Sequence, residues 1–241
     1  MRVNLVKCLG CGIVSGVVSG VVAVVVAMTL CFAALPLAAQ RSVPAGQGDL
    51  LKDIGLFKPP AGARVAIIEF QDQQCPACAA AFPIVHQAVA KYNIPLIEKD
   101  FPLPQHQALG SLDAAVWARY LQDKVSMKVA DDYRGAYFAA QAGIQNKDDT
   151  LNFTRRFFQN RGLQMPFVPD PSGELMKQVQ ADKQEGVRIG IEHTPTIIVC
   201  NQHEWVQVTR TDYLYQTIDE LLAKAGPATP AKTASATRTA H

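Results

Sequence analysis

From Cys8 to Ala39 no side chain is charged, and Arg2 and Lys7 stand just before that stretch. A secretory signal needs an apolar core of roughly 7–15 residues, and a membrane-spanning helix needs about 20. Residues 1–39 therefore read as an N-terminal signal anchor or transmembrane segment. The rival is a long signal cleaved near Leu37-Ala38-Ala39, where Leu37 fits poorly as the small residue such cleavage prefers. From Gln40 to Gly62 Gly, Pro and small polar residues dominate, which predicts a linker with one helical turn around Leu50–Leu56. Arg64 to Gln71 then reads as a buried strand. A helix starts at Cys75, with Cys78, Phe82, Val85, Val89 and Tyr92 on one apolar face. Ile94 to Phe101 supplies the second strand of a β–α–β unit, for which a right-handed crossover is expected.

Residues 107–190 read as helical, interrupted by a proline-punctuated loop at Met165–Pro171. Leu109, Leu112, Val116 and Tyr120 mark one stripe. Met127 to Ala142 predicts a helix with Gly143 as its C-cap. A further helix is capped by Asp149 or Thr150 and stopped at Gly162, and another covers Gly173 to Gly186. Strand character returns at Thr196–Cys200 and Glu204–Val208, joined as a hairpin, before a last helix over Asp212–Lys224. The implied class is α/β: a small mixed sheet flanked by helices, with an all-helical insertion at about 107–190. The main domain spans 63–224, and 225–241 is a flexible tail.

Charge adds a direction and removes a partner. Cations before the apolar stretch and mixed charges after it place the N-terminus in the cytoplasm and the bulk of the chain outside. Charged residues make up 18% of the chain and the net charge is +2, so nothing supports a nucleic-acid partner. Within the anchor, Gly12, Gly16 and Gly20 recur every four residues. That stripe suits packing against another transmembrane helix, although Val/Ala/Gly-rich filler reads the same way. Cys75, Cys78 and Cys200 lie beyond the anchor, a number that suits one active pair plus one buried thiol better than a disulfide framework.

Cys75-Pro76-Ala77-Cys78 carries the chemistry. A C-x-x-C box alone is open to zinc binding or redox work. Zinc needs about four ligands, and no two of His86, His106, His193 and His203 form a pair with ligand spacing, so no metal is expected. In the redox reading the helix begins at Cys75, and its unpaired N–H groups and dipole favour thiolate over thiol. Cys78 lies one turn on, on the buried face. Cys75 thus forms the mixed disulfide and Cys78 resolves it. Pro76 suits a helix's first turn, and with Ala77 it shapes the loop.

The chain from about Arg64 to Lys224 resembles the DsbA-type thioredoxin-like proteins, exported dithiol oxidoreductases with a helical domain inserted in a thioredoxin fold. The likeness rests on Glu69-Phe70, the Cys75–Cys78 box, Pro83, Lys99-Asp100-Phe101-Pro102-Leu103-Pro104 with His106, and Gly190-Ile191-Glu192-His193-Thr194-Pro195-Thr196. It implies that Pro195 is a cis-proline lying against the Cys75 sulfur, leaving the Thr194 backbone free to pair with an extended substrate. It also implies that Glu69 is a buried acid relaying a proton for Cys78, with a raised pKa. Pro83 is expected to kink its helix, and His106 to pack at the start of the helical block. His193 departs from the glycine common in the family and is a candidate modulator of the Cys75 thiolate; an exposed loop histidine is the plain alternative. Cys200 reads as a buried small hydrophobe.

These residues imply a protein thiol–disulfide oxidoreductase, most simply a dithiol oxidase acting on exported polypeptides, anchored in the inner membrane with its catalytic domain in the periplasm. No organic cofactor is expected beyond the Cys75–Cys78 disulfide, and the resemblance implies a membrane, quinone-linked oxidase as recharging partner. A disulfide isomerase or reductase of the same fold, and a non-catalytic module holding unfolded segments, are the competing readings.

Overall fold

A computed structural model describes residues 43–44, 51 and 55–226. The expected membrane segment 1–39, with Gly12, Gly16 and Gly20, and residues 227–241 of the tail lie outside the described residues. Among the described residues no helix is long and apolar enough to cross a membrane.

The sheet is built from β1 (Val43–Pro44), β2 (Val65–Gln71), β3 (Leu96–Asp100), β4 (Thr196–Asn201) and β5 (Trp205–Val208), in the spatial order β1-β5-β4-β2-β3. β2 and β3 run parallel and the other neighbours antiparallel. β2 is buried along its whole length, as a central strand covered on both faces must be. Because side chains alternate, Val65 and Ile67 join one apolar cluster while Ala66, Ile68 and Phe70 join another on the opposite face. The stretch read as a linker holds β1, whose Val43 and Pro44 pair with Gln207 and Val206. An edge strand tolerates proline because its outward N–H has no ladder partner to lose. Leu51 and Phe57 of the same stretch are buried, and Phe57 meets Trp205 edge-on at 4.9 Å.

Helix α1 (Pro76–Tyr92) covers the first face together with α6 (Leu214–Lys224), whose Leu214, Ile218 and Leu221 point inward. The buried side of α1 is Cys78, Ala81, Val85 and Ala88, rotated from the expected face; Phe82, Val89 and Tyr92 are only half-buried. Alanines let α1 sit close to the sheet, so its larger residues turn toward the flanks, Phe82 against Phe138 and Tyr92 against Tyr215.

Between β3 and β4 the insertion comprises a 3-10 turn (Pro104–Leu109), α2 (Ser111–Lys124), α3 (Met127–Ala140), α4 (Lys147–Asn160) and α5 (Glu174–Ile189). The cap of α4 is Asn146, whose side chain accepts from the Asp149 N–H at 2.9 Å, rather than Asp149 or Thr150. Thr150 is instead buried, donating to the Leu109 carbonyl. Gly143 lies in a short 3-10 turn after α3 and not at a left-handed cap, whereas Gly162 does take the left-handed conformation (φ 63). The insertion is joined to the sheet by buried charge: Arg119 of α2 pairs with Asp100 of β3 and Asp182 of α5, and Lys99 reaches Asp182 at 3.0 Å. Breaking one partner of such a group costs about 3–5 kcal/mol. On α3, Gly135 brings the helix against α1, since a Cβ there would come within 2.8 Å of the Phe82 ring.

Candidate active site

The chain leaves β2 at Gln71 and turns through Asp72, Gln73 and Gln74, all buried, before Cys75 caps α1. Cys75 has extended backbone angles (φ −85, ψ 118), which is the geometry of a residue half in the helix. The turn is locked by the Cys75 N–H donating to the Asp72 carbonyl at 3.0 Å. Asp72 is its hub. Its carboxylate accepts from the N–H of Gln74 and of Leu103 (each 2.8 Å), from the Ser111 hydroxyl, and pairs with His106 Nδ1 at 2.8 Å. His106 therefore packs at the entry to the insertion with a buried carboxylate as partner. Gln74 donates to the Tyr137 hydroxyl at 2.8 Å and Gln141 to the Gln73 carbonyl at 2.8 Å, so α3 and its extension clamp the same loop.

Cys75, Cys78 and Cys200 are free thiols. Cys75 is 6% exposed and Cys78 1%, so one sulfur can be reached from the surface and the other is shut in. The Cys75 thiol is held far below its ordinary range, at about 5. The main cause is the Cys78 thiol donating to it, opposed by burial; the Thr194 side chain and the N–H groups of Cys78 and Ala77 add to the effect. These are the unpaired amides of a helix's first turn. Cys78 is pushed strongly the other way, first by burial and then by Cys75, although the Asp72 N–H donates to its sulfur at 3.5 Å. A depressed outer thiol beside a raised inner one is the division of labour that nucleophile and resolving group require.

The loop before β4 closes the site from far along the chain. The Thr194–Pro195 peptide bond is cis. The Cys75 sulfur lies 3.2 Å from the Thr194 carbonyl oxygen, across 119 positions of sequence. Pro76 occupies the first helical position of α1 and Pro83 lies inside the helix. Beside the cysteines runs a groove of about 480 Å³, walled by Ala77, Ala80, Ala81 and Ile84 of α1 and by His193, Thr194 and Pro195. His193 is exposed on that wall.

Strand alternation decides which candidates belong here. Glu69 shares its face of β2 with Val65 and Ile67, the face α1 covers, and is buried. Burial, reinforced by the nearby Glu98 and opposed by Arg134, pushes its carboxyl up to about 8. Cys200 pairs with Ala66 and so points to the opposite face; it is fully buried, its pKa raised to about 12 by burial. It stands apart from the redox pair. Among the described residues no group of three or more His, Cys, Asp or Glu side chains is placed to hold a metal ion.

Asp72, Gln74, Glu98 and Arg134 escaped sequence reasoning. Arg134 sits on α3 with none of its side chain exposed. A charged residue in an amphipathic helix gives no local sign of burial; only the carboxylates facing it, Glu98 and Asp100, explain its place.

A family model described as Thioredoxin matches residues 60–220. The chain belongs to the thioredoxin family. Within that family its architecture is DsbA-like, a thioredoxin fold with a helical insertion. A variant of alpha-DsbA1 from Wolbachia pipientis superposes with TM-score 0.56 at 18% identity, covering 73% of this chain and 95% of that one. The thiol-disulfide exchange protein alpha-DsbA2 from Wolbachia pipientis gives 0.55 at 19%, covering 69% and 88%. A periplasmic thioredoxin-like protein from Salmonella enterica serovar Typhimurium gives 0.54 at 18%, covering 73% and 94%. No curated protein sequence matches the chain. For a thioredoxin-family protein the joint placement of Cys75, Cys78, the cis Thr194–Pro195 bond and a buried Glu69 gives the fold a site able to exchange disulfides.

Proposed function

We propose that this thiol–disulfide oxidoreductase works as an oxidant, using its Cys75–Cys78 disulfide to introduce disulfides into exported polypeptides. The observation that carries this direction is the setting of the Cys75 sulfur: Cys75 caps α1, with the buried Cys78 thiol one turn on and the N–H groups of Cys78 and Ala77 beside it, and these hold its thiol low, at about 5. A thiolate stabilised in the folded protein favours the reduced form of the pair, so the disulfide readily gives up its oxidising equivalents. In the reaction a substrate thiolate attacks Cys75 Sγ and the Cys75–Cys78 bond breaks. The electron pair goes to Cys78 Sγ, which takes up a proton. A second substrate thiolate then attacks its own sulfur bonded to Cys75; a substrate disulfide forms and Cys75 leaves as thiolate. The groove beside Pro195 holds the extended substrate, with the Thr194 backbone as its strand partner, Pro76 and Ala77 shaping the loop and His193 lining the rim.

Reoxidation falls to a membrane redox partner, in keeping with the resemblance to proteins served by a quinone-linked oxidase. The charge-free stretch 8–39 supports an anchor that places residues 63–224 outside the cytoplasmic membrane. The deciding experiment is the equilibrium potential of the Cys75–Cys78 couple against glutathione. A potential near about −120 mV supports the oxidant, and one near about −270 mV makes the protein a reductant or isomerase. Loss of exchange in Cys75→Ser with peptide binding retained separates catalysis from mere holding.

A further inference from the structure

The sheet face covered by α1, where Cys78 is buried, carries two glutamates in register. Glu69 and Glu98 are Cα partners in the parallel pair β2/β3. Neighbouring strands lie about 4.8 Å apart, so the two carboxyls share one face at close range. Their surroundings differ. Glu69 Oε2 is buried and makes no hydrogen bond. Glu98 Oε1 accepts from Gln71 Nε2 at 2.9 Å, and Oε2 lies 3.2 Å from Arg134 Nη1 as an ion pair without a hydrogen bond. Arg134 is wholly buried and comes from α3, in the insertion, where it also lies 3.8 Å from Asp100 and 4.0 Å from Asp131; the Asp131 carboxyl, from the same helix, faces Glu98 as well and is pushed up to about 6 by burial and by Glu98. From α1, His86 Nε2 lies 3.9 Å from Glu98 Oε1. From β4, the register partner of Glu69 is the apolar Ile197.

Two like charges this close in a dry site cannot both form without large cost. A cation and an amide donor stand at Glu98 and neither stands at Glu69 Oε2, so the proton is favoured on Glu69. We infer that Glu98, clamped by Arg134, is a positioning residue for exchange: it keeps Glu69 protonated at neutral pH, so that a proton donor waits beneath the Cys78 sulfur. This rests on the exchange reaction proposed above and on Glu69 as its proton relay, and adds to them the part played by Glu98 and Arg134. When the Cys75–Cys78 bond breaks, Cys78 Sγ receives the electron pair and the Glu69 carboxyl proton. Glu69 is left as a carboxylate beside Glu98 and regains a proton from water. The raised position of Glu69, caused by burial and by Glu98 against the pull of Arg134, agrees with this assignment.

The test follows reduction of the oxidised full-length protein by glutathione in single turnovers across pH, expressed per glutathione thiolate. The wild-type rate should fall as pH rises through the titration of Glu69, where the donor is lost. Glu98→Gln should move that fall down by about one pH unit or more, since the remaining neighbour is a cation; Glu98→Asp, which keeps the charge, should restore it. Carbon-13 NMR of the Glu69 carboxyl in the wild-type protein should report the same titration near pH 8 and needs no variant to fold. Identical profiles for Glu98→Gln and wild type, or a Glu69 carboxyl titrating in the ordinary range of about 4–5, would overturn the inference. Failure of glutathione to react at Cys75 would instead defeat the exchange reading, leaving the NMR titration to judge Glu98 alone.

Discussion

Removing the Cys78 thiol while leaving Cys75 in place isolates what holds the nucleophile ionised. Cys75 falls from its ordinary 9.0 to about 5, and the hydrogen bond from Cys78 is the largest contribution. Its folded pKa lies below its unfolded one, so ionisation stabilises the folded dithiol fully above pH 9.0, progressively less as pH falls, and not at all below about 5. At pH 7 the stabilisation is about 3 kcal/mol, which favours the reduced pair by roughly 60 mV. A hydrogen bond to a charged acceptor contributes about 1.5–3 kcal/mol, or about 1–2 pKa units. Cys78→Ala should therefore raise the midpoint to about 6–7, the Thr194 side chain and the helix amides retaining the rest. The assay is the pH dependence of Cys75 alkylation by iodoacetamide, followed by mass spectrometry of its peptide. A midpoint in Cys78→Ala within a few tenths of wild type, or a wild-type midpoint near that of a free cysteine, refutes the assignment.

Glu69→Leu should keep the fold and abolish the alkaline dependence of the Cys78 step; an unchanged pH–rate profile would remove Glu69 from the mechanism. Asp72→Ala leaves four donors around a buried site without an acceptor and should cost about 3–5 kcal/mol in urea denaturation, while Asp72→Asn should recover part of that. Gly110→Ala combines a left-handed φ of 89 with a Cβ driven into the Thr150 hydroxyl, so a loss of about 1–3 kcal/mol is expected in thermal unfolding. In the native protein, alkylation at neutral pH should reach Cys75 and spare Cys200, which is buried and raised to about 12; labelling of Cys200 should require denaturant.

Most of the element order was legible because it depends on local pattern. The continuous apolar run from Val65, the proline-led start of α1 and the apolar stripe Leu214–Leu221 each report a run, a cap or a period that neighbours in sequence define. Cap positions were read less well. Asn146 outcompeted Asp149 and Thr150 for α4 because Thr150 is drawn inward by the Leu109 carbonyl and the Tyr137 hydroxyl, partners that no local window contains. The buried side of α1 was misplaced for a similar reason: hydrophobicity ranks Phe82 above Ala81, but proximity to the sheet selects the smaller residue.

The site divides along the same line. Cys75, Cys78 and Pro76 are neighbours, so spacing alone states that one sulfur caps the helix and the other lies a turn deeper. Glu69, Thr194 and Pro195 could be nominated from the chain, yet their meeting with the cysteines is made by strand register and by a loop 119 positions away. Glu98, Arg134 and Asp72 were invisible, since burial and the distance between charges set their chemistry and neither is a property of a residue's own neighbours. What the amino-acid order determined was a thiol pair at a helix start, with Cys75 the sulfur favoured to ionise; what the tertiary structure decided was which distant groups surround that pair and where the nearby proton stands, because those groups are brought together only by folding.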